Sequence, residues 1–325
     1  MSKPVLDFIF SKANHKNTYA RSVVQLKVYE ALLKDYDINV INPRSIIKKG
    51  HAQGPDSIDS IQVMTIANPA NNKAIVFNVG PKVGGPFSVS KGWADFDVVQ
   101  IIGGASVSKA WYDNLNVERK NYFDSVRSTT CFPLDQTTHE KEALNFKPPA
   151  ISKKINQAIF IGNTQNLRGR IELTKILNKH PLFKIIDRKE GGMPFPEYLK
   201  EIYKYKMSIS LNGFAEACYR DWESMSVGVP ILRSEFYSQY NSPIIPDFHY
   251  ISGSEPTING ETEYKSSFNN VAEQFIDRIE STINDDKFLN EIANNGREYF
   301  VNNITCDSIV EKFLKEVKLD SLFDD

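Results

Sequence analysis

The sequence predicts an α/β protein made of two Rossmann-like domains. Apolar, strand-like segments alternate with amphipathic helical segments along the whole chain, which is typical of parallel sheets covered by helices. The 325 residues are too many for one average domain and fit two. An aperiodic, proline-containing segment, 132–154, separates two such series and is interpreted as a linker. We therefore expect domains at 1–145 and 146–302, and a terminal helix within 303–325 that returns to the first domain.

In the first domain, residues 5–10 form a short apolar run interrupted only by Asp7 and are predicted to be a buried strand. A helix over 19–33 follows from apolar residues at helical spacing, including Val23, Leu26 and Leu33. The remaining predicted strands of this half are 38–41, 62–66, 74–78 and 97–102. Each ends near small or polar residues, as do strand ends that face a ligand crevice.

The second domain repeats the alternation. Its predicted strands are 158–162, 183–186, 207–211, 230–232 and 249–251. Its predicted helices are 170–177, 196–203, 217–227, 271–283 and 287–300, and 307–317 is the predicted terminal helix. Two layered α/β domains follow from this pattern without any motif.

Composition and charge exclude several classes of function. The chain carries 39 basic and 40 acidic residues, a net charge of -1, which argues against nucleic-acid binding. No segment approaches the roughly 18 apolar residues of a membrane span, and the N-terminus does not resemble a signal peptide. The three cysteines are odd in number and far apart, which excludes a disulfide framework and a paired-cysteine metal site. These observations together predict a cytoplasmic protein without an integral membrane segment.

The segment 207–232 carries the densest functional signal. It contains a buried strand, a loop with Asn212 and Gly213, and a helix that bears Arg220 and Glu223 on one face. Free N–H groups at the start of a helix bind phosphate well, and a guanidinium suits diphosphate oxygens. A carboxylate on the same face would accept hydrogen bonds from the ribose hydroxyls. The alternative is an exposed Arg/Glu pair on an ordinary helix.

A second loop, after the predicted strand 158–162, has a similar composition. Gly162 is followed by a polar loop, with Arg168 and Arg170 at the start of a helix. Arginine is unfavourable at that end of the helix dipole, and a bound anion would compensate for it. The alternative is a solvated loop with unpaired arginines. Two such loops at strand ends of one domain favour phosphate binding.

Residues 156–318, about half of the chain, resemble the C-terminal, donor-binding half of GT-B glycosyltransferases. They are most similar to the CAP10-type protein O-glycosyltransferases and CgeB-like proteins. The most specific part of the resemblance is Tyr219-Arg-Asp-Trp-Glu-Ser-Met-Ser-Val-Gly-Val-Pro-Ile-Leu232. The segments that extend it are 160–170, 205–213, 249–251 and 295–305.

The resemblance implies a GT-B architecture in which two Rossmann-like domains face a central cleft. It assigns Arg220 to the donor phosphates, Glu223 to the ribose, and a further phosphate contact to Arg170, with Arg168 as the alternative. The expected activity is hexosyl or pentosyl transfer from a nucleoside diphosphate sugar, UDP favoured and GDP possible, to a glycan or glycoprotein hydroxyl.

The spacing of the carboxylates predicts an inverting reaction. Retaining transferases of the related group have seven residues between two carboxylates, whereas Glu216 and Glu223 have six. An inverting transfer needs a general base, for which the first domain offers Asp95, Asp97 and His15. The structural alternatives are a turn residue that leads a strand for Asp97 and an ordinary polar loop residue for His15.

We expect no essential metal and no cofactor. Asp95-Phe-Asp97 has the Asp-x-Asp spelling of a metal site, but it precedes a predicted strand instead of ending one. Arginines and helix N-termini would then stabilise the leaving group.

Two other functions are compatible with the predicted fold. One is an NAD(P)-dependent oxidoreductase, but the glycines near 80–85 and 103–104 do not spell the dinucleotide fingerprint. The other is a two-domain binder of small molecules without catalytic activity. Fluorescence enhancement of NADH would favour the first, and ligand binding without turnover would favour the second.

Overall fold

The computed structural model describes residues 2–10, 19–41, 63–78, 96–103, 116–118, 120–121, 140–147, 150–165, 168–188, 193–212, 218–236, 242–255 and 268–324. The described residues form two compact units. One contains those up to 121 together with 305–324, and the other contains 140–236 and 242–304. Each unit has its own five-stranded sheet. The predicted alternation of strands and helices is confirmed over these residues.

The strands and helices lie close to the predicted positions. The strands of the first unit are β1 (Val5–Phe10), β2 (Asp37–Ile41), β3 (Val63–Ala67), β4 (Lys73–Asn78) and β5 (Asp97–Gly103). Those of the second are β6 (Ile155–Gly162), β7 (Phe183–Asp187), β8 (Tyr205–Ser210), β9 (Ile231–Ser234) and β10 (Ile251–Ser254). The helices are α1 (Tyr19–Leu32), α2 (Glu140–Leu144), α3 (Arg168–Leu177), α4 (Phe195–Ile202), α5 (Tyr219–Ser226), α6 (Phe268–Thr282), α7 (Asp286–Asn303) and α8 (Cys306–Glu316).

The first sheet has the order β2-β1-β3-β4-β5 and is mixed. Strand β3 runs antiparallel to both of its neighbours, whereas β1 pairs with β2 and β4 pairs with β5 in parallel. Only residues 68–72 separate β3 from β4, which is too short for the crossover that a parallel pair requires. In this turn Asn72 has a φ of 60°, and the Asn68 side chain accepts a hydrogen bond from the Ala70 N–H. The expectation of a wholly parallel sheet therefore needs this one correction.

Helix α8 belongs to the core of the first unit. Its Ile309 and Phe313 are fully buried and pack in one cluster with Phe8 of β1 and Val28 of α1. Gln100 of β5 holds the chain after the helix, since its side chain donates to the Glu316 carbonyl and accepts from the Lys318 N–H. The end of α8 and the residues that follow it are thus held against β5 of this unit.

The second sheet is wholly parallel, with the order β10-β9-β8-β6-β7. Its β8 is buried along its whole length, as is typical of a central parallel strand. Helices α3 and α6 cover part of a core built on Phe160, Ile209 and Phe275. Side chains of β6 that point to the other side pack with α4 in a separate cluster.

Two details of the second unit differ from the sequence interpretation. The segment 140–154 was expected to be an open linker, but it contains α2, whose Ala143 is fully buried in the cluster with α4. The last strand, expected at 249–251, begins at Ile251, because His249 lies in a turn and Tyr250 forms only an isolated bridge with Pro246. In both places, short elements depend on tertiary packing that local sequence patterns do not report.

Candidate functional site

The topology of the second sheet indicates a ligand site at the carboxyl ends of its strands. From β6 the chain proceeds to β7 on one side of it and then crosses to β8 on the other side. In open α/β sheets, ligands bind at the carboxyl ends of the strands where the order reverses in this way. The residues at that point are Gly162, the last of β6, and Leu211 and Asn212, which directly follow β8. Both loops that the sequence singled out for phosphate binding start here.

Arg220 of α5 closes over the end of β6. Its Nε and Nη2 donate to the Ile161 carbonyl oxygen at 3.1 and 2.9 Å, and its guanidinium lies 4.3 Å from the centre of the Phe160 ring. A Cβ atom on Gly162 would lie 2.3 Å from Arg220 Nη2, so the glycine is required for this approach. Arg220 is therefore held where the strand order reverses, and its Nη1 has no hydrogen-bond partner in the described part of the chain.

Arg170 of α3 bridges the ends of β6 and β8. Its Nη1 donates to the Asn163 carbonyl at 3.3 Å, and its Nη2 donates to the carbonyls of Leu211 and Asn212, both at 3.1 Å. The sequence argument expected an anion to offset this positive charge at the helix start; in the described residues the guanidinium donates to backbone carbonyls, which carry no net charge. Arg168 begins the same helix, and its side chain lies outside the described residues.

A fully buried ion pair, absent from the sequence interpretation, lies next to these arginines. Arg233 Nη1 and Asp221 Oδ2 are 2.8 Å apart, and both side chains are 0% exposed. Arg233 Nη2 also donates to Asn212 Oδ1 at 3.3 Å. Two signals in the sequence were available: an arginine within the short apolar run of β9, and an aspartate in the first turn of α5. Charges at such positions are rarely buried unless they are paired.

Glu223 lies one turn after Arg220 and is partly exposed. Its neighbour is Tyr198 of α4, which is buried. Burial, followed by the negative charge of Glu223, raises the pKa of Tyr198 well above its usual value. The tyrosine therefore stays neutral beside a carboxylate that keeps access to solvent.

The site has an excess of positive charge. Arg170, Arg220 and Arg233 are offset only by Asp221 and Glu223 among the charged groups described above. Cys218, at the start of α5, does not add a negative charge, because burial and then the Asp221 carboxylate raise the pKa of its thiol. Among the described residues, no group of three His, Cys, Asp or Glu side chains is arranged to hold a metal ion.

Of the other predicted site residues, the structure describes Asp97, which belongs to the first unit. Asp97 is exposed at the amino end of β5, where its N–H donates to the Asn72 carbonyl. This is the amino end of the strand, whereas ligand crevices in open parallel sheets lie at the carboxyl ends. Asp95, His15 and Gly213 lie outside the described residues. In the described part of the chain, no helix is both long and apolar enough to span a bilayer.

No known family model matches the sequence, and no curated protein matches it. Solved structures match at the level of the fold. A glycosyltransferase from Rickettsia africae aligns with a TM-score of 0.50 and 10% identity over 100% of this chain and 99% of that one. TarM of S. aureus, solved with UDP, aligns with a TM-score of 0.41 and 15% identity over 70% of this chain and 44% of TarM. The pneumococcal O-GlcNAc transferase GtfA, solved with UDP and GlcNAc, has a TM-score of 0.39 and 9% identity, with coverages of 70% and 46%.

The chain thus matches less than half the length of TarM and of GtfA. The likeness to the Rickettsia protein extends over 100% of this chain and 99% of that one. It confirms the predicted fold class, α/β of the GT-B type. At 10% identity, it shows the fold alone.

Proposed function

We propose that this chain is a glycosyltransferase whose second unit binds the nucleoside diphosphate part of a sugar donor. The observation that carries the proposal is the position of Arg220, clamped on the end of β6 at the point where the strand order reverses. The remaining nitrogen of this arginine, Nη1, is buried without a hydrogen-bond partner among the described residues, and an anionic group bound at the carboxyl ends of the strands would supply one. Nucleotides are the ligands that open parallel sheets most often bind at this place.

The charges of the site fit the same ligand. A diphosphate is held by an excess of arginine over carboxylate, and bidentate guanidinium contacts are its usual partners. The start of α5 adds the positive end of the helix dipole. Glu223, partly exposed one turn later, would accept hydrogen bonds from the ribose hydroxyls. The sequence resemblance favours UDP over GDP as the donor nucleotide.

The proposed reaction is an inverting transfer without an essential metal. An acceptor hydroxyl of a glycan or glycoprotein attacks the anomeric carbon, the bond from that carbon to the diphosphate oxygen breaks, and a general base takes the hydroxyl proton. The arginines would stabilise the charge that develops on the leaving diphosphate. Asp95, Asp97 and His15 are the candidates for the base.

A thermal-shift experiment tests the proposal. Wild type, Arg220→Ala and Arg278→Ala are heated with UDP, GDP, CMP, dTDP or NAD, each with EDTA or with Mg²⁺. Arg278 is a matched control, since it lies in the same unit but pairs with Asp247, before the amino end of β10. At a hundredfold excess over Kd, a ligand adds about 2.7 kcal/mol and raises Tm by roughly 5–10 °C.

We expect UDP or GDP to stabilise wild type and Arg278→Ala in EDTA, and not Arg220→Ala. A shift with NAD alone would favour an oxidoreductase and refute the proposal. An unchanged Tm with every nucleotide would refute it as well.

A further inference from the structure

The ion pair between Asp221 and Arg233 is sealed from solvent beneath the first turn of α5. Both side chains are 0% exposed. Moving two charges into a protein interior costs several kcal/mol each, and well-packed apolar residues often stabilise such a site better. A pair of this kind is therefore poorly explained by stability alone.

The hydrogen bonds of the pair connect three elements around the candidate site. Asp221 Oδ2 accepts from the Cys218 N–H at 2.6 Å, which fixes the start of α5. Arg233 Nη2 reaches Asn212 Oδ1, in the loop after β8. Arg233 also donates from Nε to the Ser234 carbonyl at 2.8 Å and stacks on the Phe236 ring at 3.3 Å, so its own position within β9 is fixed.

We propose that the Asp221–Arg233 pair is a positioning device for donor binding, an inference that rests on the proposed function. Asp221 lies between Arg220 and Glu223 on a helix of only eight residues. So short a helix has little stability of its own, and its orientation depends on what anchors it. The pair anchors its first turn to β9 and to the loop after β8, and so sets where Arg220 and Glu223 point.

The substitution Asp221→Asn separates this role from two simpler ones, because each role predicts a different change in the affinity for a nucleoside diphosphate. Asp221→Asn makes the site more positive by one charge. If the pair acted only through charge, the variant would bind a nucleoside diphosphate more tightly. If it served only stability, the folded variant would bind as wild type does. A positioning role predicts weaker binding, by about tenfold or more, the effect of losing one charged hydrogen bond.

The experiment is calorimetric titration with UDP and with GDP, well below the Tm of each variant. The proteins are wild type, Asp221→Asn, Arg233→Met and the double variant Asp221→Asn/Arg233→Met. Leu289→Ala is the control, because it removes a fully buried side chain from the core of the same unit and lowers stability without touching the pair. The double variant leaves no lone buried charge, so it keeps the test valid where a single variant does not fold.

The positioning role predicts that Asp221→Asn and the double variant bind at least about tenfold more weakly than Leu289→Ala. Affinity equal to that of wild type in the folded variants, or tighter binding by Asp221→Asn, overturns this inference and leaves the proposed function standing. Absence of UDP and GDP binding in wild type overturns the proposed function and this inference with it.

Discussion

The substitution Gly162→Ala is the sharpest perturbation of the candidate site. A Cβ at this position would lie 2.3 Å from Arg220 Nη2 and 3.2 Å from Phe160 Cζ. The guanidinium must withdraw by about 0.7 Å to restore even a 3.0 Å contact. That shift breaks the geometry of its two hydrogen bonds to the Ile161 carbonyl, of 3.1 and 2.9 Å. The new methyl group meets the far ends of two side chains, Arg220 and Phe160, and not backbone.

Two different effects follow for stability and for binding. Loss of the arginine hydrogen bonds costs on the order of 1–3 kcal/mol of folding free energy, so the variant stays folded. Nucleoside diphosphate binding falls much further, because the displaced Arg220 no longer presents its free nitrogen at the strand end. We expect UDP affinity to fall by about tenfold to a hundredfold, close to the loss in Arg220→Ala.

The assay is calorimetric titration of UDP into wild type, Gly162→Ala, Arg220→Ala and the double variant. Since both substitutions act through one guanidinium, the double variant is expected to bind no more weakly than Arg220→Ala. Gly253→Ala is the control: its Cβ would meet Phe275 and Leu232 in the core at 3.0 and 3.1 Å, away from Arg220. Wild-type affinity in Gly162→Ala, or additive losses in the double variant, would refute the reasoning.

Two further predictions concern stability. Burial lowers the pKa of Lys154 to about 8, so the folded state binds its proton less tightly than the unfolded state does, and stability rises with pH between about 8 and 10.5. Lys154→Met should therefore be more stable than wild type by up to about 3 kcal/mol at pH 7. At pH 9.5 this difference in the free energy of unfolding should be roughly halved. Urea unfolding that shows the same difference at both pH values would contradict this. Phe313→Ala, in the last helix, should destabilise the first unit by about 3–5 kcal/mol, and hydrogen exchange should then show faster opening of β1 and α1 but unchanged protection of β6 and β8.

Most of the fold could be predicted because long periodic segments determine their own secondary structure. The buried run Ala158–Ile161 of β6 stands out in the sequence, since parallel strands covered on both faces are rich in apolar residues. The direction of β3 was missed, although the turn 68–72 before β4 is short and rich in asparagine. Helix α2 was missed because five residues carry too little periodicity, and tertiary contacts of Ala143 decide its structure.

Several residues of the candidate site could be predicted from the sequence, but the hydrogen bonds and the ion pair that join them could not. Gly and Arg near strand ends pointed to Gly162, Arg170 and Arg220, which the structure brings to one edge of the sheet. Which arginine is clamped by which carbonyl depends on strand order, and sequence spacing does not contain that information. The pairing of Asp221 with Arg233 joins α5 to β9 across the fold and was hidden for the same reason.

The central claim is that a nucleoside diphosphate binds at the end of β6 through Arg220. It is tested most directly by NMR of protein carrying ¹⁵N-labelled arginine, in which the side-chain N–H signals are assigned with Arg220→Lys and Arg278→Lys and followed during a titration with UDP or GDP in EDTA. We predict that the Arg220 signals shift in a saturable manner while those of Arg278 stay in place. Unmoved Arg220 signals at ligand concentrations that saturate the protein by calorimetry would place the nucleotide elsewhere and contradict the account.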